Sequence, residues 1–341
     1  MTIAVSMAAP SIGWLRNAQF DLNFIVGTTM LAIGTGAVVI NEPRLFAPIL
    51  LLDLWLLGQH HVVSTFTRLC FTIEDRAQYR FLLYGLPPIV LAFTLGAAMT
   101  AGIWIVGTVY FYWQWFHYIR QSWGINQAYL RSAEPTGESE GAAKLAFYLP
   151  PLWGILHRSW QAPELFLGMS FKTLPVSGIL VDLVGLCAIG ALCWWCVCRY
   201  RTWRRGGNVF AHTLYITSHH TIFFIGYLLV DDVTYGWLVL NIWHNAQYIL
   251  FVWLMNNRRY SDGVDRSALG WSTLCQSSNL WRYLLVCFGI ATVFYVGLRG
   301  VDTAAVSFGV VGLPVLLLLY QTINFHHYIV DAVIWRRRAH S

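Results

Sequence analysis

The chain has 341 residues, of which 57% are hydrophobic and only 11% are charged, and its formal net charge is +6. Soluble domains carry about a quarter charged residues, so this composition excludes an ordinary soluble domain and indicates an integral membrane protein. A nucleic-acid partner is also excluded, because the basic residues lie between apolar segments and form no continuous basic surface.

Apolar windows of about 19 residues predict about ten transmembrane helices, which form one all-α polytopic membrane domain over residues 1–341. The predicted spans are Asp21–Val39, Phe46–Thr67, Phe81–Met99, Ile103–Tyr129, Leu145–Leu156, Val176–Cys198, Val209–Val230, Gly236–Met255, Trp281–Leu298 and Ala304–Trp335. Pro150–Pro151 makes the short fifth span a candidate for a kinked or re-entrant helix. The last span is too long for one straight crossing, so we expect it to continue into the cytoplasmic interface.

The distribution of loop charges predicts the orientation. With both termini in the cytoplasm, only Arg44, Arg158, Lys172 and Arg299 fall on the outer side, and nearly all other basic residues fall on the inner side. We therefore expect an integral protein of a bacterial-type inner membrane with both termini cytoplasmic.

Histidine placement is the feature that points to chemistry. Nine of the 11 histidines lie in apolar segments, and most lie in the inner half of the predicted spans. A buried imidazole in hydrocarbon is costly without a partner, and a metal ion is its commonest functional partner. We predict that these side chains converge on one metal site. The candidate ligands are His60, His61, His117, His219, His220, His244, His326, His327 and Asp331, with His212 as a weaker member.

Polar residues at helical spacing strengthen the prediction. Gln114, Asn241 and Asp331 lie three or four residues from a candidate histidine, and Asp53 lies seven residues before His60. Ligating imidazoles usually donate their second nitrogen to a carboxylate, amide or carbonyl. Asp331 can ligate the metal directly or orient an imidazole, and the alternative is a surface ion pair with Arg336.

The alternatives are structural. A single histidine such as His117 or His244 can be a packing residue with one interhelical hydrogen bond. Adjacent histidines point about 100° apart on a helix, so one member of each pair can lie outside the site. The Cys193–Cys198 run contains a CxxC, but small reduced side chains near a helix end explain it better than a metal site.

The donor set limits the metal. Many imidazoles with few carboxylates suit iron, copper or zinc rather than calcium or magnesium. This number of histidines exceeds what one tetrahedral zinc ion uses, whereas two iron ions would use them all. Haem held by two facing histidines is the competing cofactor.

These residues resemble the polyhistidine membrane non-haem iron oxygenases, namely fatty-acid desaturases, alkane hydroxylases and carotenoid hydroxylases. Their HxxxH and HxxHH boxes are missing, since no histidine precedes any pair by three residues. The segments Gln59–Val62, His117–Gln121 and His326–Asp331 are also similar to the bacterial Brp/Blh carotene dioxygenases. The resemblance implies an iron centre that oxidises a lipid- or isoprenoid-like substrate with O₂.

We therefore expect a membrane oxidoreductase that hydroxylates, desaturates or oxidatively cleaves an apolar small molecule. Membrane lipids and an electron-donor protein are further candidate partners. The aromatic residues of Tyr110–Trp115 and Trp243–Trp253 are candidates for a substrate channel, or pack in the core. The rival functions are a bis-histidine haem electron-transfer protein and a non-enzymatic transporter or complex subunit. A transporter predicts inverted repeats, and the sequence contains none.

Overall fold

The computed structural model describes residues 13–133, 139–309 and 314–335. Nearly all of this part of the chain is helical, which confirms the all-α prediction. One short antiparallel strand pair, β1 (Leu165–Phe166) and β2 (Met169–Ser170), interrupts the helices. The N-terminal residues 1–12, the terminal arginine run and His340 lie outside the described residues.

The helices are numbered in chain order. They are α1 (Ala18–Asn41), α2 (Pro43–Phe66), α3 (Ile73–Gln78), α4 (Phe81–Ala101), α5 (Ile103–Ser132), α6 (Glu140–Gln161), α7 (Gly178–Arg204), α8 (Phe210–Phe224), α9 (Val233–Arg259), α10 (Leu269–Leu274), α11 (Leu280–Ser307) and α12 (Val315–Ile334).

Within the described ranges, six helices are long and apolar enough to cross a membrane, namely α1, α2, α4, α7, α9 and α11. Each matches a predicted span, and the protein is accordingly an integral membrane protein. The predicted count of ten is not confirmed, because α5, α6, α8 and α12 do not meet the same length and hydropathy requirements. Among these, α6 runs through Pro150 and Pro151 without ending.

The predicted last span, Ala304–Trp335, is wrong as a single element. Its first residues complete α11, which ends at Ser307, and α12 begins only at Val315. Gly309 adopts a positive φ of 82°, a conformation that glycine tolerates and that commonly follows a helix end. Pro314 then occupies the position before α12, where a missing N–H does not interrupt the helix.

Helix α9 forms the centre of the bundle. Of its most apolar window, 83% of the residues are buried, whereas the corresponding share is 22% in α7 and 17% in α11. The outer helices therefore present apolar side chains to the lipid, which solvates them as well as a protein core does. The polar side chains of the buried helix α9 cannot hydrogen-bond to water. They must therefore find hydrogen-bond partners on the neighbouring helices.

Four helical segments contain a π-helical turn, at Asn23–Gly27, Leu54–Gly58, Phe81–Gly85 and Ile225–Leu229. Such a turn inserts one residue into the helix and is frequent at functional sites. The inserted residue rotates everything after it by about 100° relative to a regular helix. The turn at Leu54–Gly58 directly precedes the first histidine pair, and it therefore decides which member of the pair faces α9.

Candidate metal centre

Four imidazoles from four helices meet in the core beside α9. His61 comes from α2, His117 from α5, His244 from α9 and His327 from α12, and all four are buried. The ring centroid of His61 lies 4.7 Å from that of His244 and 4.6 Å from that of His327. His117 lies 5.0 Å from His244 and 4.9 Å from His327 by the same measure. We call these four side chains the histidine cluster.

The nitrogen atoms of the cluster have the spacing of a ligand set. One ring nitrogen each of His61, His117 and His327 lies within 4.8 Å of the other two. The Nε2 atoms of His117 and His244 are buried without a hydrogen-bond partner in the described part of the chain. Buried nitrogens are almost always satisfied, so several orphaned imidazole nitrogens at one point fit the donor set of a metal ion.

His61 and His327 make the closest contact of the cluster, with their Nε2 atoms 2.7 Å apart. Without a metal, this is an N–H···N hydrogen bond in which one ring donates. Two imidazoles on one tetrahedral ion, at bond lengths of about 2.0–2.1 Å, would place their nitrogens about 3.3 Å apart. Metal binding therefore requires only a small outward rotation of these rings, and the donor set fits a transition-metal ion.

Asp331 lies beside the cluster and points one oxygen toward it. Its Oδ2 atom lies 3.9 Å from the Nε2 atoms of both His117 and His327 and has no hydrogen-bond partner among described residues. Its Oδ1 atom accepts from the Tyr248 hydroxyl at 2.5 Å. The side chain is buried and faces the bundle interior, as a metal-site role requires, whereas a surface ion pair would require it to face outward.

A hydrogen-bonded chain fixes the orientation of His327. Thr65 Oγ1 lies 3.0 Å from His327 Nδ1 and 3.4 Å from Asp331 Oδ1. The same Thr65 hydroxyl lies 2.9 Å from the Tyr248 hydroxyl, so it links the His327 ring to both members of the Tyr248–Asp331 pair. These contacts occupy His327 Nδ1 and leave Nε2 as the ring nitrogen on the side of His61. A hydroxyl and a carboxylate thus supply the orienting contact that ligating histidines commonly have.

A second polar chain approaches the cluster from the side of His244. The Tyr118 ring packs 4.0 Å from the His244 ring, centroid to centroid, and its hydroxyl donates to Asn241 Oδ1 at 2.5 Å. Asn241 Nδ2 in turn donates to Asp53 Oδ2 at 2.5 Å, and Gln114 donates to the Tyr118 hydroxyl. The amides that the sequence suggested as imidazole partners are therefore bonded to this chain instead.

The π-helical turn explains why His61, and not His60, joins the cluster. In a regular helix, Asp53 and His60 share a face because they are seven residues apart. The residue inserted at Leu54–Gly58 moves the equivalent position to His61. Asp53 and His61 accordingly both reach α9, through Asn241 and His244 respectively.

The pair His326–His327 divides in the same way, whereas neither member of the pair His219–His220 joins the cluster. His326 turns away from the cluster, where its Nε2–H donates to the Leu82 carbonyl at 2.7 Å and its ring stacks on Phe66. His219 is bonded to the Ser122 hydroxyl at 2.9 Å and to the Phe147 carbonyl at 3.3 Å. These hydrogen bonds hold His326 and His219 in place within the bundle, and both rings lie outside the cluster.

The remaining predicted ligands also lie apart from the four converging rings. His212 Nε2–H donates to Asn126 Oδ1 at 2.8 Å, and His220 packs near the Trp195 ring at 5.8 Å. His60 is buried, but it makes no ring contact with the cluster. The structure thus brings together four of the eight main predicted histidines, with Asp331, and it places the others elsewhere.

A small cavity of about 50 Å³ adjoins the cluster. His61, His244 and His327 form one wall, and tyrosines and side-chain amides form most of the remainder. This volume holds O₂ or a few water molecules, since one water needs about 10–15 Å³ by this measure. Of the aromatic residues considered for a channel, Tyr110 lines this cavity, whereas Trp243 and Trp253 are fully buried packing residues.

Three residues of the centre were missed by the sequence analysis, namely Thr65, Tyr248 and Tyr118. Thr65 lies four residues after His61 and Tyr248 four after His244, and residues at this spacing share a helix face. That spacing was the available signal. The polar companions expected from the sequence were carboxylates and amides, whereas the groups found here carry hydroxyls.

Comparisons with protein-family models, with curated proteins and with solved structures found no match for this chain.

Proposed function

We propose that this protein is a membrane-embedded metalloenzyme that uses histidine-bound iron and O₂ to oxidise an apolar, lipid- or isoprenoid-like substrate. The observation that carries the proposal is the convergence of four buried imidazoles in the core of an integral membrane protein. Three of them, His61, His117 and His244, have a ring nitrogen without a hydrogen-bond partner in the described part of the chain. Neutral imidazoles with one nearby carboxylate suit iron, with copper as the alternative metal.

The geometry supports one ion rather than two. His61, His117 and His327 would hold it, His244 is placed to complete the set, and Asp331 supplies the nearby negative charge. Within the described residues, no other group of three ligand-type side chains has the spacing for a second ion. Two irons would require the other predicted histidines, which lie apart from this cluster.

The bound iron would supply O₂ activation, and the chain's own residues would control access and protons. Burial of the cluster excludes bulk water, which protects a reactive centre from side reactions. The polar cavity beside it accommodates O₂. Asp331 Oδ2 lies within reach of two imidazoles and can hold a proton there, while Tyr248 fixes the other carboxylate oxygen.

The cluster fits a bare ion better than haem. A macrocycle would have to separate the facing rings of His61 and His327, whose Nε2 atoms are 2.7 Å apart, and the adjoining cavity of about 50 Å³ is too small for it. Apolar residues of α7 and α11 face the lipid, from which an apolar substrate would enter. We further propose an electron-donor protein at the basic side of a bacterial inner membrane, where both termini would also lie.

Protein purified without chelator should contain about one iron per chain and should show no Soret absorption. Reloading metal-free protein with Fe(II) should then restore O₂ consumption in the presence of a membrane lipid extract. His157→Ala protein, which lacks a histidine outside the cluster and outside both cavities, is the matched control and should consume O₂ normally. Stoichiometric haem, or iron-loaded protein that never consumes O₂ with any lipid fraction, would contradict the proposal.

A further inference from the structure

A second and larger cavity, of about 310 Å³, lies where α5 and α7 end and where α6 and α8 begin. Its volume falls at the lower end of the range of about 300–1,000 Å³ typical of small-molecule sites. None of the four clustered imidazoles is among its lining residues. The cavity is therefore a separate candidate site, near one end of the helices.

Flat aromatic rings form much of its wall. Trp123, Phe147 and Trp195 all line the cavity. The rings of Trp123 and Phe147 meet edge to face, with centroids 5.1 Å apart. Indole and phenyl faces bind planar apolar rings well, because stacked or edge-to-face contacts add to the burial of apolar area.

His212 gives the cavity a hydrogen-bond acceptor. Its Nε2–H donates to Asn126 Oδ1 at 2.8 Å, so in the neutral ring Nδ1 carries the lone pair. His212 is 2% exposed, and Nδ1 has no hydrogen-bond partner among the residues that the structure describes. A buried acceptor without a donor is costly, and a ligand hydroxyl would satisfy it.

Trp195 adds the complementary donor. Its indole Nε1–H can only donate, and this atom too is buried with no partner in the described ranges. The Arg199 guanidinium lies over the Trp195 ring, 5.4 Å from the centroid, and gives this wall a positive charge. One wall of the cavity thus combines flat aromatic faces, one acceptor and one donor.

We infer that this cavity binds a quinol, that is, a planar ring whose hydroxyl donates to His212 Nδ1 and whose second oxygen accepts from Trp195 Nε1. A quinone has carbonyl oxygens only and can accept from Trp195, but it cannot donate to His212. The reduced form should therefore bind more tightly than the oxidised form. The inference concerns binding alone and does not depend on the proposed metal.

Equilibrium binding of ubiquinol-1 and ubiquinone-1 to the detergent-solubilised full chain, kept anaerobic, tests this inference. We expect one saturable site per chain, with quinol bound several-fold more tightly. His212→Phe should reduce the affinity for quinol to that for quinone, and Trp195→Phe should weaken both by about tenfold, as the loss of one buried hydrogen bond predicts. His157→Phe, which alters a histidine outside the cavity, is the matched control.

Several outcomes would overturn the inference. These are no saturable binding, tighter binding of quinone than of quinol, or unchanged affinity in both cavity variants. Saturable binding of phosphatidylglycerol together with no saturable binding of quinol would identify the site as one for anionic lipid. If His212→Phe fails to fold, Trp195→Phe preserves an aromatic ring at its position and provides the test alone.

Discussion

The Nε2 atoms of His61 and His327 lie 2.7 Å apart, although the two residues are separated by 266 positions in the sequence. Each belongs to an adjacent histidine pair, and in each pair only one member reaches the cluster. The other member, His60 or His326, lies on a different side of its helix. In each pair, the histidine outside the cluster therefore serves as a control for its neighbour inside the cluster.

Thr65→Val should keep the fold and weaken metal binding by about 10–100-fold, the usual cost of losing an orienting contact to a ligating histidine. The substitution removes the hydroxyl that links His327 Nδ1 to Asp331. Metal titration of chelator-treated protein measures the change. Thr94→Val is the control, because that buried hydroxyl donates only to the Val90 carbonyl of its own helix. Equal metal affinities of Thr65→Val and wild type would show that Thr65 does not contribute to metal binding.

Asp331→Asn should fold and insert normally but lose most of its metal or activity. The amide keeps the size of the side chain, but it removes the negative charge 3.9 Å from two cluster nitrogens. The exposed Asp262→Asn serves as the control for a lost surface charge. Full metal occupancy and turnover in Asp331→Asn would show that this carboxylate has only a structural role.

Tyr248→Phe tests the hydroxyl that anchors Asp331. The variant retains the ring, which packs 4.3 Å from His61, and loses the hydroxyl that donates to Asp331 Oδ1. That hydroxyl also lies 2.9 Å from Thr65 Oγ1 and accepts from Trp335 Nε1 at 3.2 Å. We expect a smaller loss of metal affinity than in Asp331→Asn, because the carboxylate stays charged but becomes less well oriented. Tyr295→Phe, at a buried tyrosine that lines the small cavity and does not contact Asp331, is the control. A loss in Tyr295→Phe equal to that in Tyr248→Phe would show that the effect is not specific to the anchor.

Reporter fusions test the proposed orientation. Fusions after Ser341 and within the Asp231–Tyr235 turn should report opposite sides of the membrane, with the C-terminal fusion in the cytoplasm. The physical reason is the concentration of basic loop residues on one side. Reporters on the same side would refute the three crossings that the sequence predicts between these two positions.

Much of the fold followed from the sequence, because long apolar windows are a strong signal. The windows located α1, α2, α4, α7, α9 and α11, although α7 and α11 continue beyond their predicted ends, Cys198 and Leu298, to Arg204 and Ser307. The break between α11 and α12 was missed because apolar residues continue on both sides of it. Gly309 and Pro314 were the local signals for this break.

The site was harder to predict, because depth in the membrane does not determine which way a side chain points. His61 and His60 are equally deep, and only the extra residue of the π-helical turn at Leu54–Gly58 selects between them. His219 shares its residue type and its apolar helix with the candidates, yet its nitrogens are committed to Ser122 and Phe147. Such choices depend on tertiary partners, which no helical spacing encodes.

The metal content of alanine variants at the two adjacent histidine pairs, His60–His61 and His326–His327, is the most direct test of the proposed centre. Wild type and the four single alanine variants at His60, His61, His326 and His327 would be purified in parallel without chelator and analysed for iron, copper and zinc. We predict that His61→Ala and His327→Ala lose most of the metal, while His60→Ala and His326→Ala retain it. Metal-free wild type, or equal retention in all four variants, would contradict the account.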